Sequence, residues 1–234
     1  INLEGAGENI TVSLDEDPLA PKAHLLVSEL MVLTNAALAA WAKEHGVTLL
    51  HRTQDVAIPK EFSGIWQTPL EIARVVKALA PAVLETNPRP HAGLGEAMYA
   101  PSTSPLRRYP DMINETQIIS LLRDGKPRWS KEELDTLLPL LNAHLDAAGQ
   151  VQRFRPRYWK LLYFKQQGDR WWPAVITDEN DAFVTVNMPK EQMIVRARRQ
   201  FFGERTHPGQ ELEIRLGKVH PLQNDFQLLE TREI

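Results

Sequence analysis

Apolar residues recur at helical spacing from Pro21 to Glu44, where Leu26, Leu30, Leu33, Ala37 and Trp41 form one line and Gly46 supplies the stop. The helix is apolar on most sides, so it is expected to be buried, with Glu29 and Asn35 as polar residues in need of partners. Ahead of it, Ile10, Val12 and Leu14 alternate and Gly5 and Gly7 mark a turn, predicting a short strand or hairpin over Ile1–Leu14. A second helix is announced by a capping box, Thr68 with Glu71, and by Pro69 at the first helical position; it ends at Leu79, before Pro81. Residues 87–95 are loop, and 111–123 form a further helix ending near Gly125. A second box, Ser130 with Glu133, opens a helix from Lys131 to about Ala148, with Gly149 as its stop. Beyond Gly149 the period shortens. Val151–Phe164, Trp171–Thr177, Ala182–Met188, Met193–Ala197, Glu211–Leu216 and Phe226–Leu229 read as strands separated by polar turns, which predicts a small barrel.

Charge sharpens the division near 149. Residues 1–149 carry 13 Lys/Arg against 19 Asp/Glu, residues 150–234 carry 14 against 11, and 11 of the 17 aromatics follow position 150. A basic, aromatic-rich segment behind an acidic one predicts two domains, 1–149 and 150–234, the second suited to polyanions or simply filling a small β core with its aromatics. There is no cysteine, which removes disulfides and thiolate metal sites and fits a cytoplasmic setting. The seven histidines lack ligand spacing, and no phosphate loop or nucleophile elbow occurs. The longest apolar stretch, Leu25 to Ala42, is interrupted by Ser28, Glu29, Thr34 and Asn35, so no membrane span is expected. The chain opens on Ile1 without a targeting pattern and reads as a fragment or a processed product.

The stretch Gly93–Asn114 (GLGEAMYAPSTSPLRRYPDMIN) carries the chemistry. Thr103 and Ser104 are candidate N-caps, Pro105 suits a first helical position, and Arg107 and Arg108 follow. Cations at a helix N-terminus oppose the helix dipole unless an anion offsets them. That anion is either a phosphate held by the helix end, the hydroxyls and the guanidiniums, or a carboxylate such as Asp111 or Glu115.

Tyr99, Thr103, Ser104, Pro105, Leu106, Arg107, Arg108, Tyr109 and Asp111 stand in a pattern that resembles the signature of the ribonuclease II/R family, and His24–Asn35, with Glu29, Met31 and Asn35, is similar to that family's helix upstream. Residues after 150, including Arg157, Tyr158, Trp159 and Lys160, resemble its S1-type barrel. The resemblance covers nearly the whole chain. It implies an α+β fold, with the C-terminal half of an RNB catalytic domain, mainly helical in this segment, followed by an S1-type OB-fold barrel. It further implies a processive 3′-to-5′ exoribonuclease that hydrolyses single-stranded RNA to nucleoside 5′-monophosphates with Mg²⁺. Arg107 then grips the phosphates at the 3′ end and stabilises the charge developing there. Arg108 assists, Glu29 lies near the terminal ribose or is a structural carboxylate, and Tyr99, Thr103 and Ser104 complete the RNA site. In the barrel, Tyr158, Lys160, Arg170, Arg196, Arg198 and Arg199 are the candidates for RNA contact.

Three departures stand beside this. The family's metal-binding aspartates precede the long helix, and Asp15-Glu16-Asp17 does not replace them, being a turn or helix-start feature. The N-terminal half of the catalytic domain, on the same or a separate polypeptide, is therefore an implied partner. Pro101 stands where a histidine is common. Pro110 replaces a small residue and is expected to kink its helix. The competing reading is a non-catalytic RNA-binding protein that retains the arginines and the barrel.

Overall fold

A computed structural model describes residues 1–15, 21–62, 68–203 and 205–234. Among them the fold is α+β, with four α-helices and a curled five-stranded antiparallel half-barrel. Strands β1 (Asn2–Glu4) and β2 (Thr11–Ser13) pair as the expected hairpin, with Leu3 opposite Val12. Helix α1 spans Pro21–Glu44 and closes at Gly46, whose φ of 68° suits glycine. Strands β3 (His51–Thr53) and β4 (Val83–Glu85) pair antiparallel, and helix α2 (Pro69–Ala78) lies between them in sequence. Helices α3 (Tyr109–Asp124) and α4 (Lys131–Gln167) follow. The half-barrel comprises β5 (Trp171–Glu179), β6 (Phe183–Met188), β7 (Met193–Arg198), β8 (Glu211–His220) and β9 (Asp225–Glu233), in the order β7-β6-β5-β8-β9. Both capping boxes close: the Glu71 and Ser130 helix starts carry reciprocal bonds, with Thr68 N donating to Glu71 Oε2 at 2.9 Å and Ser130 N to Glu133 Oε2 at 2.8 Å.

The chain divides into two compact units, Ile1–Pro18 with Gly64–Lys77 and Ala147–Ile234, and Leu19–Ser63 with Ala78–Asp146. In the first, the inward residues of the half-barrel (Trp172, Ala174, Ile176, Val184, Val186, Ile214) pack with Leu161 and Phe164 of α4. Its N-terminal hairpin is tied to α4 by Gln166, which accepts from Val12 N at 3.0 Å and donates to Ile10 O at 2.7 Å. In the second, Ala39 and Ala42 of α1 pack with Val47, Leu49 and Ala100, while Leu50, Ile113, Leu134 and Leu141 form a neighbouring cluster.

Four expectations are corrected. Gly149 does not stop α4, which runs 37 residues through it and through Pro139 and Pro156. The expected strand Val151–Phe164 is therefore helix: Phe154, Tyr158 and Leu161 follow helical spacing, and burial of Leu161 and Phe164 outweighs the roughly 1 kcal/mol cost of the glycine. Helix α1 is not buried throughout, because residues 22–30 are exposed and Leu25, Leu26, Val27 and Leu30 each keep more than half their surface. By length and composition alone Lys22–Glu44 would be long and apolar enough to cross a membrane, but Asn35 within it is fully buried in polar contacts. Finally, Pro110 kinks nothing: it sits in the first turn of α3, where an N–H has no intrahelical acceptor to lose. Glu16 and Asp17 lie outside the described residues.

Candidate nucleic-acid interface

The arginine-bearing stretch is a turn that precedes α3, rather than the helix start expected at Pro105. Arg107 N and Arg108 N both donate to Ser104 O, at 3.2 and 3.0 Å, and Arg108 is the residue that caps α3 with an extended backbone. Thr103 and Ser104 are therefore not N-caps. Asp111, in the first turn of α3, ties the turn to the helix instead: its Oδ1 accepts from Ser104 N at 3.0 Å and from Arg108 Nη2 at 2.6 Å, and the side chain is 1% exposed. Arg108 Nη2 also reaches Thr103 Oγ1 at 3.3 Å. The two readings of the arginine pair thus separate by residue. Arg108 is the one paired with a carboxylate, whereas Arg107 is exposed and makes one long hydrogen bond among the described residues, 3.5 Å from its Nη2 to Ser104 Oγ.

Buried amides hold this turn from behind. Asn35 on α1 donates to Tyr99 Oη at 2.8 Å and to Thr103 Oγ1 at 3.4 Å, while its Oδ1 accepts from Ser102 N at 2.8 Å. Asn114, one turn into α3 and fully buried, accepts from Leu50 N at 2.7 Å and donates to Leu50 O and Pro101 O at 2.9 and 2.8 Å. Gln117 bridges Thr48 and Trp129 in the same manner. Buried amides that donate twice and accept once fix backbone position, since a slip would leave several polar groups unpaired. The sequence reading had found Asn35 but missed Asn114 and Gln117. Their signal was present: Asp111, Asn114 and Gln117 recur every third residue, a polar stripe on one helix face.

Of the other residues singled out here, Tyr99 is buried, its ring edge-on to His91 at 5.7 Å, and acts in the scaffold. Glu29 lies on the exposed part of α1. Behind the turn, burial pushes the His51 imidazole down to about 4 against the opposing pull of Glu85. His91 is lowered as well, by burial and then by the Arg52 charge. Both imidazoles are thereby held neutral.

In the half-barrel the register sorts the remaining candidates. Phe183 stands opposite Arg198, Thr185 opposite Arg196 and Asn187 opposite Ile194, while Val184, Val186 and Met188 point into the core. The outward face of β6 and β7 thus combines Phe183, Arg196 and Arg198, with the Arg196 guanidinium 4.4 Å from the Phe183 ring centre. Of the adjacent tryptophans, Trp172 is core and Trp171 faces out beneath Arg232 at 4.3 Å. Arg170 is stacked on Trp172 at 4.1 Å, and Arg199 is paired with Glu179 at 3.1 Å, so both are already engaged. Tyr158 and Lys160, expected on a strand, lie on α4. Tyr158 packs against Phe154 and Trp159, and Lys160 donates to Gln192 O at 2.7 Å, with burial lowering its pKa despite Glu191.

Residues 7–124 match the RNB domain family, just over half of the chain. An uncharacterized ribonuclease of Synechocystis sp. is 24% identical over 96% of this chain, which spans 34% of that relative's length. Among solved structures, an active-site mutant of the Dss1 exoribonuclease from Candida glabrata superposes with a TM-score of 0.77 at 24% identity, over 88% of this chain and 28% of that one. Mycoplasma genitalium RNase R in complex with ribose-methylated single-stranded RNA gives 0.69 at 16% identity, over 95% and 42%. Yeast Ssd1, a pseudonuclease, gives 0.62 at 15%, over 88% and 29%. The arginine turn, its buried amides and α1 all fall inside the matched segment, and the chain belongs to the RNB domain family.

Proposed function

We propose that this chain is part of a processive 3′-to-5′ exoribonuclease that hydrolyses single-stranded RNA to nucleoside 5′-monophosphates. In this reading residues 1–149 are the C-terminal part of the RNB catalytic domain and 150–234 an S1-type OB-fold domain, in a cytoplasmic protein. The observation that carries it is the division between the two arginines. Asp111 and Thr103 engage Arg108, whereas Arg107 presents an exposed guanidinium on a backbone fixed by Asn35 and Asn114. A planar, permanently charged fork on a rigid support suits the equatorial oxygens of a phosphoryl group as charge builds on them. The Ser104 hydroxyl lies beside it as a further donor, and Glu29 is assigned to the terminal ribose.

The strand order β7-β6-β5-β8-β9 agrees with an OB-type barrel, in which the second and third strands bear the ligand face. Those are β6 and β7, where Phe183, Arg196 and Arg198 supply a ring for stacking and cations for the backbone.

Among the described residues no group of three or more histidines and carboxylates comes together as a metal seat, so the residues present do not fit Mg²⁺ by themselves. The metal is assigned to aspartates in the N-terminal half of the catalytic domain. The exposed apolar residues Leu25, Leu26 and Leu30 of α1 are assigned to contact with that half.

Arg107→Ala, made in the complete protein, is the test. Turnover of a single-stranded oligoribonucleotide should fall by about 10²–10³-fold, the cost of removing one charge-stabilising donor, while affinity for the same strand changes far less. Equal losses in turnover and affinity would reduce Arg107 to a general RNA contact and overturn the assignment.

A further inference from the structure

A groove of about 540 Å³ opens in the C-terminal unit between the end of α4 and the β8–β9 pair, within the size range of small-ligand sites. It lies at a break in the strand register. Leu216 pairs with Leu228 and Val219 with Phe226, so Gly217 and Lys218 on β8 face the single residue Gln227 on β9. A bulge of this kind leaves ladder groups unpaired and re-aims the side chains beside it. Gly217 leaves room for Leu229, since a Cβ at that position would stand 2.8 Å from the Leu229 side chain and oblige it to shift.

The walls are of two kinds. Phe164, Val219 and Leu229 are apolar, and Leu229 keeps 43% of its surface open, an unusual state for leucine inside a cavity. Lys165, Lys218 and His220 line the same groove and are exposed. Neither lysine has an ion-pair partner among the described residues. The one acid in the lining, Asp169, is already bound by Arg215, which also holds Glu230 at 2.5 Å. Cations from two different elements, placed around an apolar floor, suit a ligand that has a flat apolar body and more than one negative charge along it.

We propose that this groove is a second subsite for single-stranded RNA, seating one base against Val219 and Leu229 and its flanking phosphates at Lys165 and Lys218. The proposal rests on the barrel being an RNA-binding domain. It shares no residue with the β6–β7 face, so the two surfaces together would give the strand two footholds on one small domain.

The test measures fluorescence anisotropy of a labelled oligouridylate of about twelve nucleotides against three proteins. These are the full chain, the pair Lys165→Ala/Lys218→Ala, and the pair Arg196→Ala/Arg198→Ala, each checked for unchanged circular dichroism. Each phosphate contact on a single strand contributes about 0.7 to the slope of log affinity against log salt. The lysine pair should therefore flatten the slope by about 1.4, so that its loss of affinity relative to the unsubstituted chain is about 25-fold greater at 0.1 M salt than at 1 M. If the arginine pair weakens binding and the lysine pair does not, the groove is no subsite, while the RNA reading of the barrel stands. If the full chain itself does not bind the strand, the reading of the barrel fails and the groove proposal with it.

Discussion

Asn114→Ala removes a carboxamide that makes three buried hydrogen bonds, to Leu50 N at 2.7 Å, Leu50 O at 2.9 Å and Pro101 O at 2.8 Å. Each orphaned buried group costs about 1–3 kcal/mol, and water entering the vacated space recovers part of that, leaving about 3–5 kcal/mol for the three together. That is a large share of an ordinary domain's stability. Urea denaturation followed by circular dichroism should show it as a lower midpoint at unchanged slope. Thr116→Ala, on the same helix but with its hydroxyl bonded only to the helix's own Met112 carbonyl, is the control, with a change under about 1 kcal/mol. Asn114→Asp should be at least as damaging as alanine, since a carboxylate oxygen would then face two carbonyls. A loss below about 1 kcal/mol for Asn114→Ala would refute the idea that this residue fixes the Leu50 and Pro101 backbone, and with it the account of how the arginine turn is held.

Acid should weaken the fold through His51. Its folded-state value of about 4 lies below the ordinary 6.5, so the unfolded chain takes up the proton first as pH falls. This contribution is intact above about pH 6.5 and is lost between 6.5 and 4, amounting to about 2 kcal/mol by pH 5. His51→Gln should remove that share from the difference between denaturation curves at pH 7.5 and pH 5, and an unaltered difference would refute it. Trp172→Ala should cost about 3–5 kcal/mol by opening a cavity at the centre of the half-barrel, against less than about 1.5 kcal/mol for Trp171→Ala at the surface; equal melting shifts for the two would contradict the inward and outward assignment.

Helix starts were legible because capping chemistry is local: Thr68 with Glu71 and Ser130 with Glu133 needed only neighbours three residues apart. The end of α4 was not. Gly149 and a run of aromatics outweighed a helical spacing that becomes decisive only when Leu161 and Phe164 find the sheet to pack against. The same holds at the site. Arg107 and Arg108 were found as a pair from composition and pattern, yet what separates them is Asp111, whose carboxylate bonds the Arg108 guanidinium and the Ser104 amide and leaves the Arg107 guanidinium exposed. Half-exposed α1 is a further instance, since periodicity reports an apolar surface without saying what covers it.

Two adjacent arginines with identical side chains are, on this geometry, unlike parts. At 108 a single guanidinium nitrogen, Nη2, bonds both Asp111 and Thr103, so an uncharged residue there strands a buried carboxylate, whereas lysine at 107 would keep the outward charge and give up only its shape. A library of substitutions at the two positions should therefore sort by kind of failure. Variants at 108 would appear among the poorly expressed and heat-sensitive, and variants at 107 among the well folded and inert.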